Sequence, residues 1–164
     1  MQDMGLDATV YCNCYELGKV HTPPPQPDLI YIDDKTGQLK LRWDAPGADQ
    51  HQFYEWLASA CEHGPLGEFV THRFGNVARI GFLRQLFART PQRFPILLSK
   101  VLYNGTHAGD VLNLADIEEL AIEMASVRNI HCADAGEEEM LRQFETQMMD
   151  LIRGARSVGK PIIF

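Results

Sequence analysis

A chain of 164 residues suits one domain spanning 1–164, large enough to bury roughly 70% of its unfolded surface without a metal or disulfide staple. Its 45% hydrophobic and 23% charged residues are ordinary for a globular protein, and no apolar run approaches the roughly 20 residues of a membrane span. The formal charge is −7, from 15 basic and 22 acidic side chains, and the acidic stretch from Asp110 to Asp150 argues against a general nucleic-acid binder.

The first predicted element is a strand over residues 5–15, where Leu6, Ala8, Val10, Cys12 and Cys14 alternate onto one face. Cys12 and Cys14 then point the same way, roughly 6.6 Å apart. That spacing suits a metal or a redox pair, but both thiols also continue an apolar face, and core packing is the expected role. PPPQP at 23–27 predicts an extended surface connector. Two short strands at 29–32 and 38–43 flank the turn-forming DDKTG, with Leu39, Leu41 and Trp43 sharing one face.

Asp49 is placed to cap a helix over Gln50–His63, whose core stripe is Phe53, Trp56, Leu57, Ala60 and Cys61. A strand at Glu68–His72 and a helix at Asn76–Arg89 follow. Phe94–Leu114 opens on the longest apolar run and delivers Asn104, Thr106, His107 and Asp110 to an edge of the core. Pro95 could open a helix there, yet Asn104-Gly105 is a hairpin signal, and a strand over Ile96–Tyr103 is expected. Helices at Asp116–Val127 and Glu137–Val158, a short strand at Ile130–Ala133 and a final strand at Pro161–Phe164 complete the pattern. These elements predict an α+β fold: an antiparallel or mixed sheet of about four to six strands packed against about four helices, with a single core.

Charge is distributed unevenly. Arg73–Lys100 holds six basic residues and no acid, whereas Asp110–Asp150 holds eleven acids against Arg128 and Arg142. Glu118, Glu119 and Glu123 lie off the apolar stripe of their helix, and Glu137, Glu138 and Glu139 crowd the start of the next. Together they form a candidate acidic surface that would steer a basic protein partner.

Thiols and imidazoles supply the candidate chemistry. A nucleophile needs a base beside it and a third group orienting that base; Cys132 (or Cys12 or Cys14) with His107 and Asp110 meets that inventory. No GxSxG, Walker loop, GxGxxG or HExxH is present. Cys12-x-Cys14 and Cys61-x-His63 lack the tight spacing of structural zinc pairs. Helical spacing would put Cys61 and His63 on different faces. The expectation is no metal and no cofactor; were a metal bound, Cys12, Cys14, His63, His72 and His131 are the candidate ligands.

The segments MGLDATVYCNCYE, ACEHG, HRFGN, KVLYNGTHAGD and GKPIIF resemble a family of small, uncharacterised bacterial proteins. In size, acidity and α+β build the chain is similar in type to immunity proteins that neutralise polymorphic toxins. That likeness implies a small binding protein that occludes a partner, such as a basic toxin domain, with its acidic face. A small enzyme or metalloprotein using the His107/Asp110 loop is the alternative, and enzymatic activity is left open. MQDMGLDATV carries acids where a signal peptide would carry basic residues, so the expected location is cytoplasmic, with free thiols and no membrane partner.

Overall fold

Burial alternates along strand β1 (Gly5–Tyr11) as a period of two demands, with Leu6, Ala8 and Val10 essentially inaccessible to solvent. The computed structural model describes residues 4–164; Met1–Asp3, the start of the acidic opening stretch, lie outside them. Strand β4 (Glu68–Asn76) runs antiparallel to β1, from Gly5↔Asn76 to Tyr11↔Glu68. On the other edge of β1 lies β6 (Ile162–Ile163), and β6 pairs in turn with β5 (Val111–Leu112). The resulting antiparallel sheet has the order β4-β1-β6-β5. A separate hairpin joins β2 (Ile30–Ile32) to β3 (Leu39–Leu41). The fold is therefore α+β, as expected.

Among the described residues, four α-helices accompany these strands: α1 (Gly47–Leu57), α2 (Val77–Phe87), α3 (Leu114–Met124) and α4 (Ala135–Val158). Asn76, Asn113 and Asp134 cap the last three by accepting the backbone N–H of the residue three positions on. Gly159 ends α4 in the left-handed conformation, φ 66°. The apolar stripe of α4 (Leu141, Phe144, Met148, Leu151, Ile152) is buried, and Phe144 packs against Phe74 and Phe87 with ring centroids 5.2 and 5.5 Å apart. Helix and sheet approach closely at Gly154, where a Cβ would meet Val70 Cγ2 at 2.7 Å. Among the described residues no helix is long and apolar enough to cross a membrane.

Three expectations are corrected. Ile96–Tyr103 is not a strand: a helical turn begins at Pro95 and continues as a π-helical turn over Leu97–Val101. Its first two N–H groups are satisfied by the Glu123 carboxylate on α3, at 2.6 Å from Ile96 N and 3.0 Å from Leu97 N. That tertiary contact outweighs the local turn signal at Asn104-Gly105. Ile130–Ala133 forms no strand. Helix α1 starts earlier than expected and stops at Leu57, so Cys61 and His63 lie beyond it.

The expected single core has a satellite. The main core joins the sheet to α2, α3 and α4, while Phe53, Trp56, Leu57 and Ala60 form a smaller cluster under the β2–β3 hairpin with Tyr15, Val20, Ile30, Leu39 and Leu41. Trp43 falls past the end of β3 and is 92% exposed instead of sharing the inward face of Leu39 and Leu41.

Candidate metal centre

The small lobe, residues 15–60, leaves the sheet at the end of β1 and returns to it before β4. Both crossings are built around a pair of soft ligands. β1 ends at Tyr11, after which Cys12 N–H still bonds to the Gly67 carbonyl at 2.8 Å, extending the contact with the β4 side. The chain then turns, with Lys19 N–H donating to the Cys14 carbonyl. On the return, the N–H groups of Ser59 and Ala60 close tight turns after α1, and Gly67 N–H bonds back to Gly64. Cys12-x-Cys14 and Cys61-x-His63 consequently face one another.

Their ligand atoms all lie within 4.8 Å of each other. Cys12 Sγ is 3.9 Å from Cys61 Sγ, Cys14 Sγ is 3.2 Å from His63 Nδ1, and Cys61 Sγ is 3.6 Å from the same nitrogen. A tetrahedral zinc with Zn–S of about 2.3 Å and Zn–N of about 2.0 Å sets ligand–ligand edges of about 3.8 Å for S···S and about 3.5 Å for S···N. The three edges of 3.9, 3.2 and 3.6 Å lie close to those values, and every other edge is within 4.8 Å, so small side-chain adjustments would close the set around an ion. Cys14 is buried and the other three are half-buried. A cavity of about 20 Å³ beside the three sulfurs, walled by Trp56, Leu57 and Leu66, has no room for a substrate.

Electrostatics reinforce the grouping. Burial, followed by the neighbouring Cys12 and Cys61, pushes the Cys14 thiol up to about 12. Burial likewise raises Cys12. Neighbouring thiolates in a poorly solvated site repel one another, so the set becomes favourable as anions only around a cation. A second layer holds the frame. Buried Lys160 donates from Nζ to the carbonyls of Cys12 (2.6 Å) and Gly37 (2.7 Å) and pairs with Glu16 at 2.6 Å. The His63 ring meets Phe69 edge-on at 5.1 Å.

The other predicted ligands lie elsewhere. His72 Nε2 bonds Asp150 Oδ2 at 2.7 Å, tying β4 to α4. His131 is exposed before α4, and its carbonyl accepts from Arg89. Helical spacing misled the reading of Cys61 and His63, because neither is on a helix. The available signal was two one-residue-spaced pairs bracketing a segment with its own small core.

The catalytic candidates do not assemble. His107 is 9% exposed; its Nε2 donates to the Val101 carbonyl at 2.7 Å, and its ring stacks on Tyr103 with centroids 4.6 Å apart. Nδ1 lies 3.0 Å from Asp110 Oδ2 without completing a hydrogen bond, and that oxygen already takes the Tyr103 hydroxyl. The histidine fastens its own loop. Cys132, whose thiol is raised chiefly by burial, neighbours Ile130, Arg89 and Glu137 instead.

The six surface glutamates are also redistributed. Glu123 is buried under the turn at Ile96, and Glu137 is buried in a two-pronged pair with Arg89 that also accepts Ala133 N–H. Glu118 pairs with Arg156, and Glu138 with Arg142. Glu119 and Glu139 alone among the six carry no ion pair or hydrogen bond among the described residues. No family model, no curated protein and no solved structure matches this chain.

Proposed function

We propose that this chain is a zinc protein in which one tetrahedral ion, held by Cys12, Cys14, Cys61 and His63, fastens the 15–60 lobe to the end of the β1–β4 ladder. The observation that carries the reading is the convergence of four ligand atoms within 4.8 Å from two segments forty-nine residues apart. Three thiolates and an imidazole suit zinc better than magnesium or calcium, which take oxygen ligands. Four protein ligands leave no open position, so the role is structural, and any activity lies elsewhere. The lobe needs such a staple, because its core of Phe53, Trp56, Leu57 and Ala60 is too small to hold by burial alone.

Elemental analysis of the protein purified without added chelator tests this. About one zinc per chain is expected by the tetrahedral stoichiometry, lost in Cys12→Ser with Cys61→Ser. Protein that carries no stoichiometric metal, and whose thermal unfolding ignores both added zinc and a chelator, overturns the reading.

A partner-binding role of the toxin-immunity type is the second reading. What supports it is narrower than the sequence suggested: of the four exposed candidate glutamates, Glu118 and Glu138 are paired with arginines, which leaves Glu119 and Glu139 to meet a basic partner. Charge reversal at those two positions should slow association with such a partner and reduce its salt dependence. Association unchanged by the double reversal removes that support.

A further inference from the structure

We infer that the same site is a redox-exchangeable staple, in which a peroxide converts Cys12 and Cys61 to a disulfide, releases the metal and leaves the lobe still fastened. The inference rests on the zinc reading for the metal-bound state, and on the thiol geometry alone for the disulfide.

The geometry singles out one pair of three. Cys12 Sγ and Cys61 Sγ lie 3.9 Å apart, and both residues are half-buried, open to a small oxidant. Cys14 is the buried member, at 7% exposure, and its sulfur is turned to His63 Nδ1 at 3.2 Å. Cys12 and Cys61 also come from opposite crossings of the lobe. A bond between them therefore closes the same loop that the metal closes, whereas a Cys12–Cys14 bond would close nothing beyond its own turn. Side-chain rotation must bring the sulfurs from 3.9 Å to the bonded distance of about 2.0 Å. The chain at Cys61 is suited to that adjustment, since it lies in the turn between α1 and β4 and belongs to neither element.

The chemistry balances with a peroxide as the oxidant. The Cys12 thiolate attacks one peroxide oxygen, forming a sulfenic acid and expelling hydroxide. The Cys61 thiolate then attacks the Cys12 sulfur, the S–S bond forms, and a second hydroxide departs. Two cysteines lose two electrons, the peroxide gains them, and the two hydroxides released take up two protons from the buffer to become water. Zinc keeps its charge throughout. It leaves because Cys14 and His63 alone are too few ligands to hold it.

The test uses the full-length purified protein with its zinc, treated with graded hydrogen peroxide. Zinc release is followed with a chromophoric chelator, and the disulfide is mapped by non-reducing peptide mass spectrometry. The expected result is zinc release in step with a Cys12–Cys61 disulfide as the dominant product, reversed by dithiothreitol and fresh zinc. Cys14→Ser should still form that disulfide, and Cys61→Ser should not. If zinc is present but all thiols stay alkylatable, or another pair dominates the map, the switch fails and the zinc reading stands. If the purified protein holds no metal, the zinc reading fails, while mapping of the peroxide-treated apo chain still decides the Cys12–Cys61 pairing.

Discussion

Glu123 on α3 reaches the helical turn that opens at Pro95, where its two carboxylate oxygens accept the N–H groups of Ile96 and Leu97 at 2.6 and 3.0 Å. A side chain thus does between two elements what an N-cap does within one. Burial holds the Glu123 carboxyl above the usual carboxylate range despite both bonds. Truncation to alanine would strand two buried donors, at about 1–3 kcal/mol each. Glu123→Ala should therefore lower stability by about 2–6 kcal/mol in chemical denaturation. A loss below about 0.5 kcal/mol, the range of neutral surface changes, would show that water replaces the carboxylate.

Chelation should loosen the lobe before the main core. Trp56 belongs to the lobe's small cluster and donates its indole N–H to the Thr22 carbonyl at 2.9 Å, whereas Trp43 is already exposed. A strong chelator should shift tryptophan emission to the red while most helical signal in circular dichroism persists. His63→Ala should reproduce the shift, and His72→Ala should leave metal content unchanged. Simultaneous loss of both signals would mean that the lobe and main core unfold as one.

Lys160→Met removes the cation that joins Cys12, Gly37 and Glu16. It should cost about 1–3 kcal/mol through the unpaired buried carbonyls and hasten zinc loss to a competing chelator. Unaltered release kinetics would show that Lys160 stabilises the hairpin without positioning the ligand loop.

Acid stability should carry the mark of Glu137. Hydrogen bonding from Arg89, with help from Ala133 N–H, lowers its carboxyl below the ordinary value of 4.5. A depressed folded pKa means that the pair's contribution is fully present above about 4.5 and is lost as pH falls through the lower folded value. Glu137→Gln should flatten that part of the stability curve and leave its slope near neutrality unchanged. An identical acid limb in the variant would assign the titration to other carboxylates.

Phe144 contacts Phe74 and Phe87 at the centre of the main core and is fully buried. Phe144→Ala should cost about 3–5 kcal/mol, measured by denaturant unfolding.

Much of this architecture could be read from periodicity. The stripes of α3 and α4, the Gly159 stop and the alternation of β1 are local patterns, and local patterns survive folding when burial agrees with them. The misreadings share a different cause. Ile96–Tyr103 was decided by a carboxylate 27 residues away in sequence. Glu123 and Glu137 looked like surface charge because their partners, backbone N–H groups and Arg89, are distant in the chain. The four-residue cluster was hidden for the same reason: each pair is weak alone, and Cys61 and His63 come to face Cys12 and Cys14 only because α1 stops at Leu57.

The strand order has a consequence for how the protein comes into being. β6 follows every other strand in the chain, yet it sits inside the sheet, with β1 on one side and β5 on the other. Until a ribosome has delivered Ile162 and Ile163, the inner edge of β1 has no partner, and β5 has nothing to join. An emerging chain can form the β1–β4 ladder and the stapled lobe early, but it carries an open backbone edge throughout synthesis of α2, α3 and α4. Such an edge is a template for unwanted pairing with other chains. Closure of the sheet is therefore a late event, and truncation just short of β6 should yield an aggregating product in place of a smaller stable fold.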